Sequence, residues 1–470
     1  MSSKNKKAHF VGICGAGMSA VAKLLVDHGW QVSGSDDNFY PPVSEYIVKH
    51  KIDFKKGYSS KNIPGGADLI VIGKHSGLTP EENDEVRAAF SCDAPVKSFP
   101  EVLGNLSKNC ENIVVAGSYG KSTCAALTAW CLEYAGKDPS YFIGAIPSTP
   151  AENSKNGKGN TFVLEGDEYP SSNWDSSSKF FHYHPNHLLL TSLAHDHLNI
   201  FKTPDDYKKL FVKLLSMLPE NGIVAACADG EGIKETISKC GLETQTVFYS
   251  TRNDALWYIA NLKLGEASSF DIFRGGDFVV NIKTGLLGLH NIENILGVGA
   301  LLLSLNLVTP SEFSEAIASF RAINRRLDKK SDKTLIPFYE GFGSSLPKAR
   351  SAIEAVRVHF PDKKLVVLFE PYSISWRSSE ALEWYDNVFR DVRHALIYKP
   401  LNNEGLTLKD IVNRVRRAGH SAEGFNSIKE GITLLERNID KNSVILTLSS
   451  GGFDGFIDLV VKWLESEFPL

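Results

Sequence analysis

Nine consecutive residues, Val115-Ala116-Gly117-Ser118-Tyr119-Gly120-Lys121-Ser122-Thr123, carry the side-chain types that hold a polyphosphate. An apolar run precedes them and a helical pattern follows, the strand–turn–helix setting that a phosphate loop requires. Backbone N–H groups around Gly117, Ser118 and Gly120, close to a helix N-terminus, point at anionic oxygens. Lys121 supplies a cation for the β- and γ-phosphates of a nucleotide, and the Ser122 or Thr123 hydroxyl is a hard oxygen ligand for Mg²⁺. The full GxxxxGK[ST] pattern asks for glycine at position 115, where this chain has valine. The bland alternative is therefore a Gly-rich turn with an incidental lysine. Placement and the G-K-S-T run favour the phosphate reading.

Other candidates weigh less. Gly15-Ala16-Gly17-Met18-Ser19-Ala20 follows a strand and fits G-x-G-x-x-A, with Asp36 ending the next strand about twenty residues on. Alone it reads as an NAD fingerprint or as any tight strand–helix turn. The physics licenses a diphosphate on this helix N-terminus with Asp36 near its sugar. Glu165-Gly166-Asp167-Glu168 leaves a strand's C-terminal end, and its carboxylates suit Mg²⁺ as well as they suit a solvated acidic turn. Five histidines crowd positions 182, 184, 187, 195 and 197, without the cysteines or the HExxH spacing of a zinc site. His197, past a strand end beside Asp196, is the best metal or phosphate candidate among them. Asn291 either caps a helix or offers its amide to a purine edge. Arg325-Arg326 is either a solvated basic pair or a fork for a γ-phosphate.

These groups need rigid strands and helices behind them. Short Val/Ile/Phe-rich runs alternate with longer helical patterns almost throughout, the signature of parallel α/β layers. Strands are expected at His9–Ile13, Gln31–Ser35, Leu69–Ile72, Ile113–Ala116, Thr161–Leu164 and Leu188–Ser192. Helices are expected from Lys121 to about Tyr134, after Pro204 and from about Asn291. A charged break at Asn324–Lys333 reads as a linker into a last unit with strands at Leu335–Tyr339, Lys364–Phe369, Ala395–Tyr398 and Val444–Leu448. At roughly 150 residues per domain, 470 residues suggest three. The expected divisions are 1–108, 109–326 and 327–470.

Composition narrows the class. The chain is 43% hydrophobic and 23% charged, and its 51 basic and 55 acidic side chains leave a net charge of −4. Disorder is excluded, and neither a broad nucleic-acid footprint nor a polybasic membrane surface is expected. Seven cysteines without a CxxC pair read as small buried hydrophobes in a reducing compartment. No apolar run is long enough to span a bilayer, so the expected location is the cytoplasm. Nothing points to an obligate protein partner.

Taken in order, VAGSYGKST, EGDE, SLAHDH, GLHNIEN and NRRLD resemble the ATP-dependent Mur ligases of peptidoglycan synthesis over nearly the whole chain. GICGAGM, DDNFYPPVS, AWCLEYAG, SKFFHYHP, DHLNIF and Phe369-Glu370-Pro371 look most like the murein-recycling branch, which joins a peptide, L-Ala-γ-D-Glu-meso-diaminopimelate, to UDP-N-acetylmuramate. The branch that adds L-alanine comes next. The resemblance implies a Rossmann-like domain for the UDP-sugar, a central P-loop ATPase domain and a Rossmann-like C-terminal domain for the amine, closing during reaction. It implies that Gly15, Gly17, Met18 and Ser19 hold the UDP diphosphate with Ser35 and Asp36 nearby, which displaces NAD. ATP and Mg²⁺ are the implied cofactors. Lys121, Ser122 and Thr123 keep their roles, and Glu165 and His197 match the metal-linked pair. His290, Asn291 and Asn294 match the adenine-side motif, and Arg326 matches a phosphate-contacting arginine. ATP would convert the substrate carboxylate into an acyl phosphate, which the amine then attacks.

The chain departs from that pattern at several points, most of them in its last third. Where this branch carries D-D-[FY]-x-H-H-P, this chain has Tyr339-Glu340-Gly341-Phe342-Gly343-Ser344-Ser345-Leu346-Pro347. Ala194 and Asn199 replace acidic residues, and Glu370-Pro371-Tyr372-Ser373 stands for E-P-R-S. The nucleotide half keeps the pattern while the acceptor half is rewritten. A ligase is therefore the leading expectation. A non-catalytic binder of UDP-sugar and ATP is second, and an NAD oxidoreductase is third.

Overall fold

The computed structural model describes residues 6–40, 43–195, 200–321, 325–400 and 405–470. Three mixed α/β sheets follow one another along the chain. The first comprises β1 (Lys7–Val11), β2 (Gln31–Asp36), β3 (Asp53–Lys56), β4 (Leu69–Ile72) and β5 (Val96–Lys97), in the order β3-β2-β1-β4-β5. All its pairings are parallel. The chain changes direction across the sheet between β1 and β4, and such a switch point opens a crevice at the strands' carboxyl ends. Val11, Ile70 and Ile72 pack there against Val86 and Ala89 of the helix Asp84–Ser91.

The second sheet has ten strands: β6 (Glu111–Ala116), β7 (Ser140–Phe142), β8 (Ser154–Lys155), β9 (Thr161–Glu165), β10 (His187–Leu190), β11 (Val224–Cys227), β12 (Thr246–Ser250), β13 (Trp257–Lys263), β14 (Ser268–Arg274) and β15 (Asp277–Thr284). Their order is β15-β14-β13-β12-β11-β10-β6-β9-β7-β8. β6 therefore lies between β9 and β10, parallel to both, and the three carboxyl ends meet. The sequence reading missed β11 to β15. The last of these turns on Gly275-Gly276, both at positive φ, as a two-residue hairpin requires.

The third sheet comprises β16 (Arg326–Lys329), β17 (Phe338–Gly341), β18 (Lys364–Phe369), β19 (His394–Tyr398), β20 (Ala422–Phe425) and β21 (Ser443–Leu448), in the order β16-β17-β21-β18-β19-β20. β18 is buried on both faces. Leu365, Val367 and Phe369 enter one core, and Val366 and Leu368 enter the other. That explains its continuous apolar run. The expected linker over Asn324–Lys333 instead holds β16, which pairs antiparallel with β17. Its charges misled the reading because they pair with one another. The expected strand Leu335–Tyr339 begins three residues later, after Pro337.

Contacts group the chain into two compact units. One is Met1–Ala260, Asp271–Asn281 and Glu293–Phe320; the other is Asn261–Phe270, Ile282–Ile292 and Arg321–Leu470. All seven cysteines are free, but only Cys124, Cys131 and Cys227 are buried, and Cys92 is exposed. The expectation of seven buried thiols is corrected accordingly. No helix among the described residues is long and apolar enough to cross a membrane.

Candidate active site

Between β6 and the helix Lys121–Tyr134 the chain makes a turn that only glycine fits at two points. Gly117 has φ 132° and Gly120 φ 81°. A Cβ on Gly117 would lie 2.3 Å from Thr191 Oγ1, and one on Gly120 would lie 2.5 Å from Asn294 Oδ1. β10 fixes the turn from the side: Ser118 N donates to Ser192 O at 3.0 Å, and Thr191 Oγ1 donates to Tyr119 O at 2.6 Å. The Ser118 hydroxyl donates to Ala194 O at 2.5 Å, leaving Tyr119 as the exposed tip.

Lys121 is the hub. Its Nζ donates to Gly117 O at 2.6 Å and Ser118 O at 3.3 Å, and pairs with Glu168 at 3.1 Å. The Glu168 side chain is fully buried, and the Tyr207 hydroxyl reaches it at 3.4 Å. The sequence reading quoted Glu168 but gave it no role; a carboxylate that neutralises the loop lysine is a partner only the folded structure can supply. Ser122 Oγ donates to Glu165 Oε1 at 2.8 Å, and Gly144 N donates to Glu165 Oε2 at 2.7 Å. A hydroxyl and a carboxylate thus sit together at the helix N-terminus, an all-oxygen donor pair of the kind Mg²⁺ takes. Thr123 is half-buried on the next helical position. Asp167 turns away to Lys179 at 2.5 Å. Burial opposes its charged form, but the Lys179 ammonium outweighs that and holds its carboxyl below the usual range. His197 lies outside the described residues.

Asn294 joins this cluster, accepting from the Cys124 thiol at 3.3 Å. His290 and Asn291 open the same helix, Leu289–Ser304, and Asn291 Nδ2 donates to Leu287 O at 2.7 Å, so part of its amide serves local structure. Of the other crowded histidines, His182 pairs with Asp175 at 2.9 Å and His187 with Glu111 at 2.9 Å. His195 bonds Phe201 O at 2.9 Å. Each has a structural partner, and no zinc centre forms among the described histidines.

In the first sheet, Gly15 precedes the helix Ala16–Asp27, and a Cβ on Gly17 would press on the Phe99 ring at 3.0 Å. Met18 is buried, and the Ser19 hydroxyl returns to Gly15 O at 3.1 Å. Asp36 accepts from Cys14 N at 2.9 Å and Asn38 N at 3.0 Å, which fastens the turn. Ser35 is buried and donates to Glu85 at 2.6 Å. Glu85 also takes His9 at 2.7 Å, Ser59 N at 2.7 Å and Asn62 at 2.8 Å. Burial works against its charge, but these donors together hold its carboxyl below the ordinary range. Past the ends of β2, β3 and β4 lies a cavity of about 450 Å³ lined by Asp37, Tyr58, His75, Glu82 and Asp84. The sequence reading named Asp36; its neighbour Asp37 faces the open space. Asp37, Tyr58 and His75 each follow a strand end, which marks the region in the sequence but not which carboxylate faces it.

In the second unit, Arg326 opens β16 and is exposed. Glu370 follows β18 and is buried, accepting from the Ser449 hydroxyl and from Phe453 N at 3.2 Å. Burial pushes its carboxyl above the ordinary range. A Cβ on Gly451 would lie 2.2 Å from the Tyr372 ring, so the loop after β21 closes on the one after β18. Trp376 Nε1 donates to Gly343 O at 2.6 Å, and the Ser373 hydroxyl donates to Ser344 O at 3.0 Å.

Residues 115–302 match the Mur ligase middle domain, and residues 7–110 match the Mur ligase family catalytic domain. A UDP-N-acetylmuramate–L-alanine ligase of Endomicrobium trichonymphae is 28% identical, covering 96% of this chain and 97% of its own length. The UDP-N-acetylmuramate–L-alanyl-gamma-D-glutamyl-meso-2,6-diaminoheptandioate ligase of Escherichia coli is 29% identical over 78% of this chain and 79% of its own. A UDP-N-acetylmuramate-alanine ligase structure from Thermotoga maritima superposes with a TM-score of 0.76 at 23% identity, covering 98% of this chain and 99% of that one.

Proposed function

This chain belongs to the Mur ligase family, and on that premise we propose that it uses ATP to join UDP-N-acetylmuramate to the peptide L-Ala-γ-D-Glu-meso-diaminopimelate. Members of the family are ATP-dependent ligases that form C–N amide bonds, and this chain is such an enzyme. The observation that carries the reading is the Ser122–Glu165 pair at 2.8 Å beside Lys121, on the N-terminus of the helix after β6. The relatives' names support UDP-N-acetylmuramate as one substrate. Phe369-Glu370-Pro371 and the SKFFHYHP stretch support the peptide. Relatives named for L-alanine align over 96% of the chain and support L-alanine as the second reading. We place the reaction in the cytoplasm, where ATP is available.

The chemistry follows from charge. A carboxylate repels a nucleophile, so the lactyl carboxylate first takes the γ-phosphoryl group of ATP and becomes an acyl phosphate. The amine then attacks the carbonyl carbon through a tetrahedral oxyanion, and phosphate leaves. The turn's N–H groups and Lys121 hold the β- and γ-phosphates, and Asn294 lies at the edge of that turn. Ser122, Thr123, Glu165 and His197 are the residues that would hold Mg²⁺, which supplies neutralising charge on the phosphates. The helix after Gly15 takes the UDP diphosphate, and Asp37 and Tyr58 face the space left for its nucleoside. Positioning and preorganised charge do most of the work.

Lys121→Ala alone is an ambiguous test, because it takes an ammonium partner from the fully buried Glu168. Losing one partner of a buried pair costs about 3–5 kcal/mol. The double variant Lys121→Met/Glu168→Gln removes both charges. Folded by circular dichroism and still ligating at the wild-type rate, it would sink the reading. Mass spectrometry of product from ATP, Mg²⁺ and UDP-N-acetylmuramate, with the tripeptide and L-alanine offered separately, decides the amine.

A further inference from the structure

Arg326 sits between two residues in the left-handed region, Arg325 at φ 64° and Leu327 at φ 60°. Neither is glycine, and such a backbone persists only where its surroundings over-determine it. The register between β16 and β17 slips at this point, with Arg326 opposite Gly341 and Asp328 opposite Glu340. Leu327 anchors the segment in the core, and a ring of charges holds it from the other side. Arg325 N donates to Asp328 Oδ1 at 2.6 Å, and the Arg325 guanidinium pairs with Glu340 at 3.1 Å and donates to Gly451 O. Lys330 closes the ring, 2.8 Å from Glu340 and 3.2 Å from Asp328. Glu340 is 8% exposed, and two cations from β16 or its flanks converge on it. Arg326 is exposed.

We infer that Glu340 is a positioning residue for Arg326. It fixes Arg325 and Lys330 on either side, which forces the reversed backbone at 325 and 327 and so sets the direction in which the Arg326 guanidinium leaves the strand. The inference rests on the proposed ligase reading and on the phosphate contact that the family resemblance implies for Arg326, and adds the residue that aims it. It also gives Glu340 a duty inside the rewritten acceptor segment, one that concerns the phosphate rather than the amine. A group that acts through aim has a recognisable energetic signature: its removal matters only while the aimed side chain is present.

The test is a double-mutant cycle on the full-length enzyme, reading kcat and KM for ATP-dependent phosphate release with UDP-N-acetylmuramate and the amine that is turned over. Glu340→Gln keeps the shape and removes the charge. It should lower kcat about tenfold with the KM for UDP-N-acetylmuramate nearly unchanged, as expected of a misaimed group. Arg326→Lys keeps a cation and residual turnover, and in that background Glu340→Gln should cost no more than about twofold. An equal loss in both backgrounds, tracking a fall in melting temperature, would show a structural role and overturn the inference alone. Undiminished turnover in Arg326→Lys and Arg326→Ala would remove the role of Arg326 itself, and the inference with it.

Discussion

The ends of β6, β9 and β10 and the ends of β17, β18 and β21 are built on different plans. In the first, the polar side chains of the turn find their partners on the neighbouring strand ends: Lys121 on Glu168, Ser122 on Glu165, Ser118 on Ala194 O. In the second, the charges of Arg325, Lys330, Asp328 and Glu340 neutralise one another, and the buried Glu370 is spent on ordering the 449–453 loop. Under the proposed function the first region would hold the phosphates and keeps most of the motif residues read in the sequence, whereas the second, which would receive the amine, departs from them. A phosphate-activating site admits few substitutions because the γ-phosphoryl group is the same for every acceptor. An amine site can be re-lined when the amine changes.

Four experiments can break or sharpen that contrast. The largest effect is expected from Lys121→Met/Glu168→Gln, with ligation down by at least about a thousandfold, near the upper range for removing a preorganised charge. Glu165→Gln should cost about a hundredfold in kcat and raise the Mg²⁺ concentration needed for half-maximal rate, since it weakens one oxygen donor of the Ser122–Glu165 pair. A loss of that size without a shift in Mg²⁺ requirement would detach Glu165 from the metal.

The third concerns stability, and its sign differs between two buried carboxylates. The Glu85 carboxyl is held low, so its contribution is present above the ordinary carboxylate range and disappears as pH falls through its folded value. Glu85→Gln should therefore lower stability by about 1–3 kcal/mol near neutral pH, and the gap should close in acid. The Glu370 carboxyl is pushed up, so its contribution is complete in acid and disappears as pH rises through its folded value. Glu370→Gln should then shift stability by less than about 1 kcal/mol at neutral pH. Denaturant melts at several pH values compare the two. The smallest effect is expected from Ser344→Ala and Ser345→Ala. Ser344 Oγ meets only Lys348, at 3.4 Å, among its described side-chain partners, and Ser345 makes no cap bond to the helix Leu346–His359. Amine KM should move by no more than about twofold. A tenfold rise would mean that these serines, which stand where the family motif has histidines, contact the amine.

The glycine turn after β6 is legible in the sequence because its requirements are local: a strand, glycines at two steric pinch points, a lysine and a hydroxyl within nine residues. The parallel alternation of strands and helices was legible for the same reason, and Leu69–Ile72, Lys121–Tyr134 and Lys364–Phe369 have the bounds expected of them. What escaped depends on pairings far apart in the chain. Glu168 is 47 residues from the lysine it neutralises, and Glu340 is 15 from Arg325. β16 is not legible as a strand because its charges look solvated until β17 lies beside it. Asp37 is not separable from Asp36 in the sequence because the end of a strand does not say which of two adjacent carboxylates faces out.

The glycine turn after β6 would outlast the chain's activity if that activity ceased to matter. Gly117 is pinned by Thr191 and Ser192, Gly120 by Asn294, and both by their φ angles. Those constraints belong to the fold and would go on purging substitutions in a descendant that had never met ATP. The glycines are thus witnesses to folding alone. Arg326, solvent-facing and outside the core, is under no such packing constraint, and its side chain would be free to drift.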